Sequence, residues 1–230
     1  MKYTPFSGDS GAIGEGKLSR QAALWAGLTS LTITASMTAL LIQKLSNNPV
    51  VVLILGLIFI GEFIYAVPPF RLVSSGYGEL SMSIVRVGLI PAMAFLMQGH
   101  EFHRLLTMVS FPLTLLHISM LLALEFPDYA SDLKLGKKPM LVIVGWQRGM
   151  LIHNLLILGG FVVLGIAFAL GLPVNVAWPV VFVLPVGLFQ IWMMNRIGDG
   201  IKPNWNLLLL VAISTFAFTA YILTFAFWTH

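Results

Sequence analysis

Asp128 and Asp132 stand four residues apart in the run Glu125-Phe126-Pro127-Asp128-Tyr129-Ala130-Ser131-Asp132, and Lys134, Lys137 and Lys138 follow directly. A helical turn through this run brings both carboxylates to one face, with Cβ atoms about 5–6 Å apart. Hard Mg2+ takes oxygen ligands, usually one or two carboxylates completed by water and substrate phosphate. The lysines beside the pair suit a diphosphate. A solvated helix face carries the same spacing, because charged residues mostly lie on surfaces. The position favours the first reading: the lysines follow directly and the cluster caps an intensely apolar segment, in a chain that is 58% hydrophobic and only 10% charged.

A second group of candidates lies in residues 68–80, Pro-Pro-Phe-Arg-Leu-Val-Ser-Ser-Gly-Tyr-Gly-Glu-Leu. Arg71 offers a guanidinium whose planar fork matches phosphate oxygens in pairs. An arginine that binds lipid headgroups at the interface has the same sequence signature. Gly76 and Gly78 fit a tight turn.

The elements that must position these residues are membrane helices. Mean hydropathy is +0.91, and apolar runs long enough to cross about 30 Å of hydrocarbon recur along nearly the whole chain. Candidate spans lie near residues 19–43, 49–67, 81–98, 103–124, 148–170, 174–195 and 205–228. Barrel strands would alternate polar with apolar residues, and these runs do not. The fold class is therefore an all-α polytopic bundle of seven helices, expected as one membrane domain over 1–230. Residues 1–18 hold Pro5, four glycines and two serines with no apolar core, so they read as a polar loop rather than a signal peptide. The absence of cysteine excludes disulfides, thiol nucleophiles and thiolate metal sites.

If the helices alternate in direction, Lys2, Lys17, Arg20, Arg71, Arg86, Lys134, Lys137, Lys138, Arg148, Arg196 and Lys202 share one side, against Lys44 and Arg104 on the other. The positive-inside rule assigns the first side to the cytoplasm, with the amino terminus inside and the carboxyl terminus outside. Asp128, Asp132 and Arg71 then lie at a cytoplasmic mouth. Outer connections such as Ser46-Asn47-Asn48-Pro49, Gly99-His100-Glu101 and Gly171-Leu172-Pro173 are short. The inner stretches 67–80 and 126–147 are longer, as connections that fold over a cavity would be. No nucleic-acid partner is expected.

Four further polar groups fall within spans or at their ends. Glu62, about one turn before Tyr65, is an intramembrane carboxylate with Arg86 as its expected partner, in a functional or a structural pair. His117 and Asn154 are expected to hydrogen-bond across helices. His100-Glu101-Phe102-His103 lacks the spacing that puts two histidines on one helix face, so these residues read as interfacial histidines.

The run at 125–138 resembles the second aspartate motif of the UbiA-type intramembrane prenyltransferases, N-E-x-P-D-x-x-x-D-x-x-x-G-K-[RK]-T-L. Tyr65 with Pro68-Pro69-Phe70-Arg71-Leu72 and Gly76-Tyr77-Gly78-Glu79-Leu80 is similar to that family's Y-x-x-P-P-[LF]-[RK]-L and G-x-G-E-L elements. Residues 4–22 are similar to the segment before its third helix, above all in members acting on naphthoate-type quinone precursors. The chain departs from the pattern at Leu124, where the family has Asn, and at Pro139-Met140, where it has Thr-Leu.

The resemblance implies a nine-helix fold of which this chain carries helices three to nine, with the first aspartate motif, N-D-x-x-D-x-x-x-D, expected upstream of Met1. It implies Asp128 and Asp132 as catalytic metal ligands for Mg2+, Arg71 and Lys137 as diphosphate-binding residues and Tyr65 as substrate-binding. The implied partners are an isoprenyl diphosphate donor, an aromatic acceptor of quinone biosynthesis and membrane lipid. Two rivals remain: an incomplete or degenerate form that holds an isoprenoid or quinone-like lipid without catalysis, and a small transporter. The transporter would need a broken helix or an inverted repeat at the bilayer midplane.

Overall fold

A computed structural model of the chain describes residues 17–45, 49–98 and 101–229. These residues form helices and no strand. The spans are α1 (Arg20–Leu45), α2 (Pro49–Ala66), a third made of α3 (Gly78–Ser83), a π-helical turn (Ile84–Leu89) and α4 (Ile90–Met97), and a fourth, α5 (Arg104–Glu125). Two short helices follow, α6 (Tyr129–Leu135) and α7 (Met140–Val144), before α8 (Trp146–Ala169). The next span is broken: α9 (Val174–Ala177) and a 3-10 turn (Trp178–Phe182) meet α10 (Leu184–Gly198) at a bend of 40°. The last is α11 (Trp205–Thr229). Counting the bent pair as one span gives seven among the described residues, as hydropathy predicts. The protein is a polytopic helical membrane protein.

The expected segment before α1, residues 4–22, lies largely outside the described residues, as do Asp9, Glu15 and the turn residues 46–48, 99 and 100.

α5 is the central helix, with α8 and α11 packed against it. Gly160 of α8 permits this approach: a Cβ there would stand 2.8 Å from Leu116 Cδ2 and 3.3 Å from the Pro112 carbonyl oxygen. Close backbone contact at small residues is how membrane helices gain packing without a hydrophobic driving force between them. Polar side chains add cross-links. His117 of α5 bonds Ser83 of α3 through Nδ1 at 2.7 Å, and Asn154 of α8 donates to Asn195 of α10 at 2.7 Å. Both interhelical bonds expected from the sequence are present.

Three apolar clusters are found among the described residues. One, at the C-terminal ends of α8 and α11 and the start of the broken span, contains Leu164, Leu172, Val176, Val180 and Leu223. A second, at the opposite end of the bundle, contains Leu122, Phe126, Leu141, Met194 and Leu208. A smaller third joins Val51 and Ile54 of α2 to Leu96 of α4. The second cluster is the floor on which the candidate site rests.

Candidate functional site

The stretch after α5 is helical rather than an open loop. Pro127 has no N–H, so the α-helical ladder ends at Glu125, yet proline is tolerated in a first turn. The chain therefore continues as a 3-10 turn, Phe126–Asp128, and then as α6. From Arg104 to Leu135 the path holds 32 residues, roughly 48 Å at 1.5 Å per residue. That is longer than the hydrocarbon thickness of about 30 Å, and the acids lie towards the C-terminal end of this path.

Asp128 holds the N-cap of α6 with near-helical dihedrals, φ −94° and ψ −4°. Asp128 and Asp132 are thus one turn apart on a continuous helical path. Asp132 is largely buried, its side chain 13% exposed, and its Oδ1 lies 3.7 Å from the Nζ of half-exposed Lys137. Gly136 explains this meeting. Its φ of +66° ends α6, and the Lys137 N–H donates back to the Asp132 carbonyl at 3.0 Å. This is the turn-closing bond of a Schellman cap. It folds Lys137 over the helix end toward Asp132.

Glu125 anchors the same segment. Its Oε2 accepts from the Leu141 N–H at 2.7 Å, closing a stretch of 16 residues onto the start of α7. Glu79 lies close enough to interact with Glu125, and Glu79 Oε2 and Glu125 Oε1 are buried without a hydrogen-bond partner among the described residues. Neither glutamate was a candidate from spacing alone. The signal was Glu125's place: an acid inside the apolar end of a span is costly unless it holds something.

The segment after α2 leans on the one after α5. Gly76 has φ +79°, and a Cβ on it would collide with Ile143 of α7. The turn ahead of Gly76 holds Arg71 in the left-handed region, φ 41° and ψ 59°, where only glycine sits without cost. The Arg71 carbonyl accepts from the Ser74 N–H at 3.0 Å and its hydroxyl at 3.2 Å, which closes a 3-10 turn over Leu72–Ser74. The Arg71 side chain is exposed and makes no ion pair among the described residues. Tyr65, partly buried in the last turn of α2, lies within electrostatic reach of Glu79, Arg86, Glu62 and Glu125.

The expected partnership of Glu62 with Arg86 is not found. Both side chains are exposed, and no ion pair joins them among the described residues. Arg86 sits on the π-helical turn, which rotates the positions after Ser83 relative to a regular α-helix. The contacts that do form around the turn are those of Ser83 with the Glu79 carbonyl at 2.6 Å and with His117. At the start of α5, His103 caps the helix: its Nδ1 accepts from the Leu105 N–H at 3.3 Å.

Residues 12–204 match the family model described as the UbiA prenyltransferase family. The chain belongs to the UbiA prenyltransferase family. No curated protein and no solved structure matches it. Membership implies a membrane prenyltransferase that takes isoprenyl diphosphates and aromatic substrates, and UbiA prenyltransferases generally use Mg2+ through aspartate-rich motifs.

Among the described residues no group of three or more His, Cys, Asp or Glu could hold a metal ion. Asp128 and Asp132 nonetheless suit Mg2+. Both are hard oxygen donors, one turn apart on a continuous helical path, and such ions usually complete their shell with water and substrate phosphate rather than an all-protein cage. The fit is to half of a metal-diphosphate assembly.

Proposed function

We propose that this UbiA-family protein transfers a prenyl group from an allylic isoprenyl diphosphate to an aromatic quinone precursor of the naphthoate kind. Asp128 and Asp132 hold Mg2+ at the cytoplasmic rim, Arg71 and Lys137 bind the diphosphate and Tyr65 contacts substrate. The observation that carries this reading is the turn at Gly136, which folds Lys137 to 3.7 Å from Asp132. Acid and cation are held ready by local backbone geometry.

When bound, Mg2+ supplies Lewis-acid stabilisation of the departing diphosphate. Arg71 and Lys137 add positive charge where negative charge develops as the allylic C–O bond breaks. The allylic carbon then forms a C–C bond to the ring, and the ring carbon gives up its proton. Tyr65, partly buried and within electrostatic reach of Glu79 and Glu125, contacts the substrate. The apolar floor of Leu122, Phe126 and Leu141 excludes water that would otherwise capture the cation.

The broken span offers less to the transporter reading. The cavity of about 300 Å³ beside it is lined by Phe161, Leu164, Phe168, Trp178 and other apolar residues, with no ionisable group to hold an ion.

The test is prenyl transfer in membranes containing the protein, from labelled isoprenyl diphosphate to a panel of hydroxylated aromatic acids, with Mg2+ and with chelator. Mg2+-dependent alkylation of a naphthoate-type acceptor is expected. Mg2+-independent labelling, or none across the panel, would overturn the assignment.

A further inference from the structure

We propose that Gly149 is the positioning residue of the aspartate pair, a notch on α8 that lets both ends of the 126–144 segment bear on one point. A Cβ on Gly149 would collide with Leu141 Cδ1 and stand 3.6 Å from Phe126 Cζ. Leu141 and Phe126 are 0% and 1% exposed. Phe126 opens the turn that carries Asp128, and Leu141 lies in the first turn of α7 and gives its N–H to Glu125. The place of the whole acidic helix α6 is therefore set from both ends by how closely these two side chains approach α8.

The same face of α8 completes the bed. Trp146, one turn before Gly149, meets the Phe126 ring edge-on at 4.9 Å, and His153, one turn after it, does so at 6.4 Å. His153 is held in turn by Gln190 through Nε2 at 2.8 Å and by Asn154 through Nδ1 at 3.0 Å. Phe126 thus lies between two aromatic rings of this face, and the notch between them leaves room for it and Leu141 together. Other glycines of α8 serve other ends. Gly160 sets the spacing to α5, and a Cβ added at Gly165 would meet nothing within 4 Å.

The proposal rests on the reading of Asp128 and Asp132 as the metal and diphosphate site. The test uses the full chain in nanodiscs with farnesyl diphosphate as the probe, and reads the Mg2+ concentration that gives half-maximal probe binding. Gly149→Ala and Leu141→Ala are each expected to raise that concentration roughly tenfold or more while leaving the amount of probe bound at saturation unchanged, since misplacement by about 1 Å can cost up to about a hundredfold. In the double variant the added methyl group occupies the space that Leu141 vacates. Its Mg2+ requirement is expected to return to within about threefold of wild type, the non-additivity that marks residues in contact. Gly165→Ala is expected to match wild type.

Single variants with wild-type Mg2+ dependence, or a double variant no better than the worse single, would overturn the proposal alone. If Gly149→Ala yields no folded protein, Leu141→Ala against the double variant decides by the same comparison. A wild-type protein that binds the probe without regard to Mg2+ would overturn the reading of the aspartates, and this proposal with it.

Discussion

The Glu125 carboxylate accepts a hydrogen bond from the Leu141 backbone N–H at 2.7 Å, joining the last residue of α5 to the first turn of α7. A carboxyl oxygen at a helix N-terminus satisfies an orphan donor. Here it also closes the segment that carries Asp128, Asp132 and Lys137. Glu125→Ala is expected to destabilise the protein by about 1–2 kcal/mol. Glu125→Gln keeps an acceptor oxygen and can donate to Glu79, so its stability should match wild type. Thermal unfolding in detergent checks the pair, and equal stability of the alanine variant would remove Glu125 from this role.

Arg71 separates conformation from chemistry. Its left-handed backbone costs an L-residue about 1 kcal/mol, so Arg71→Gly should fold at least as stably as wild type. Loss of the guanidinium should weaken isoprenyl diphosphate binding roughly tenfold or more, the scale of a hydrogen bond to a charged group. Arg71→Lys should recover only part, because a point charge lacks the paired donors. Donor binding isotherms read both effects. Unchanged affinity in the glycine variant would take Arg71 out of the site.

Gly136 and Lys137 form the third test. Lys137 is half-exposed and its partner distance is long, so Lys137→Ala should cost no more than about 0.5 kcal/mol of stability. Gly136→Ala forces a side chain into φ +66°, should cost about 1 kcal/mol, and should swing Lys137 away from Asp132. Both variants are expected to raise the KM for isoprenyl diphosphate. If Gly136→Ala lowers stability but leaves that KM alone, the folded-back lysine has no part in donor binding.

The buried pair of His153 and Gln190 should behave as one unit. Both are 0% exposed and bonded at 2.8 Å between α8 and α10. Removing one partner strands the other, so Gln190→Leu should cost about 1–3 kcal/mol. Adding His153→Leu should cost less than the sum of the single changes. A double-mutant cycle by unfolding in detergent measures the coupling, and strict additivity would mean that the bond adds nothing.

Hydropathy read from the residues located every span, because a backbone in lipid must satisfy itself and helices do so with long apolar runs. It did not locate the break in the span at 174–198. There Pro185 lacks the N–H that the Val181 carbonyl would need, yet a proline near a helix start and one inside a helix look alike in an apolar run. The π-helical turn at 84–89 is invisible for the same reason: nothing in Ile-Val-Arg-Val-Gly-Leu distinguishes it from a regular turn. The approach of Lys137 to Asp132 follows from a local spacing in a stretch where charge is rare, and so stands out in the sequence. The Glu125 bond to Leu141 and the Gly149 notch depend on residues brought together by tertiary packing. Spacing along the chain does not carry that.

The account stands most directly on whether Asp128 and Asp132 make diphosphate binding depend on a divalent ion. The measurement is isoprenyl diphosphate binding to the membrane-embedded protein across a Mg2+ titration, for wild type and for Asp128→Asn combined with Asp132→Asn. Amides keep the shape and lose the charge, so the account predicts Mg2+-dependent binding in wild type and loss of that dependence, with affinity down roughly a hundredfold, in the double variant. Equal binding by both proteins at every Mg2+ concentration would contradict it.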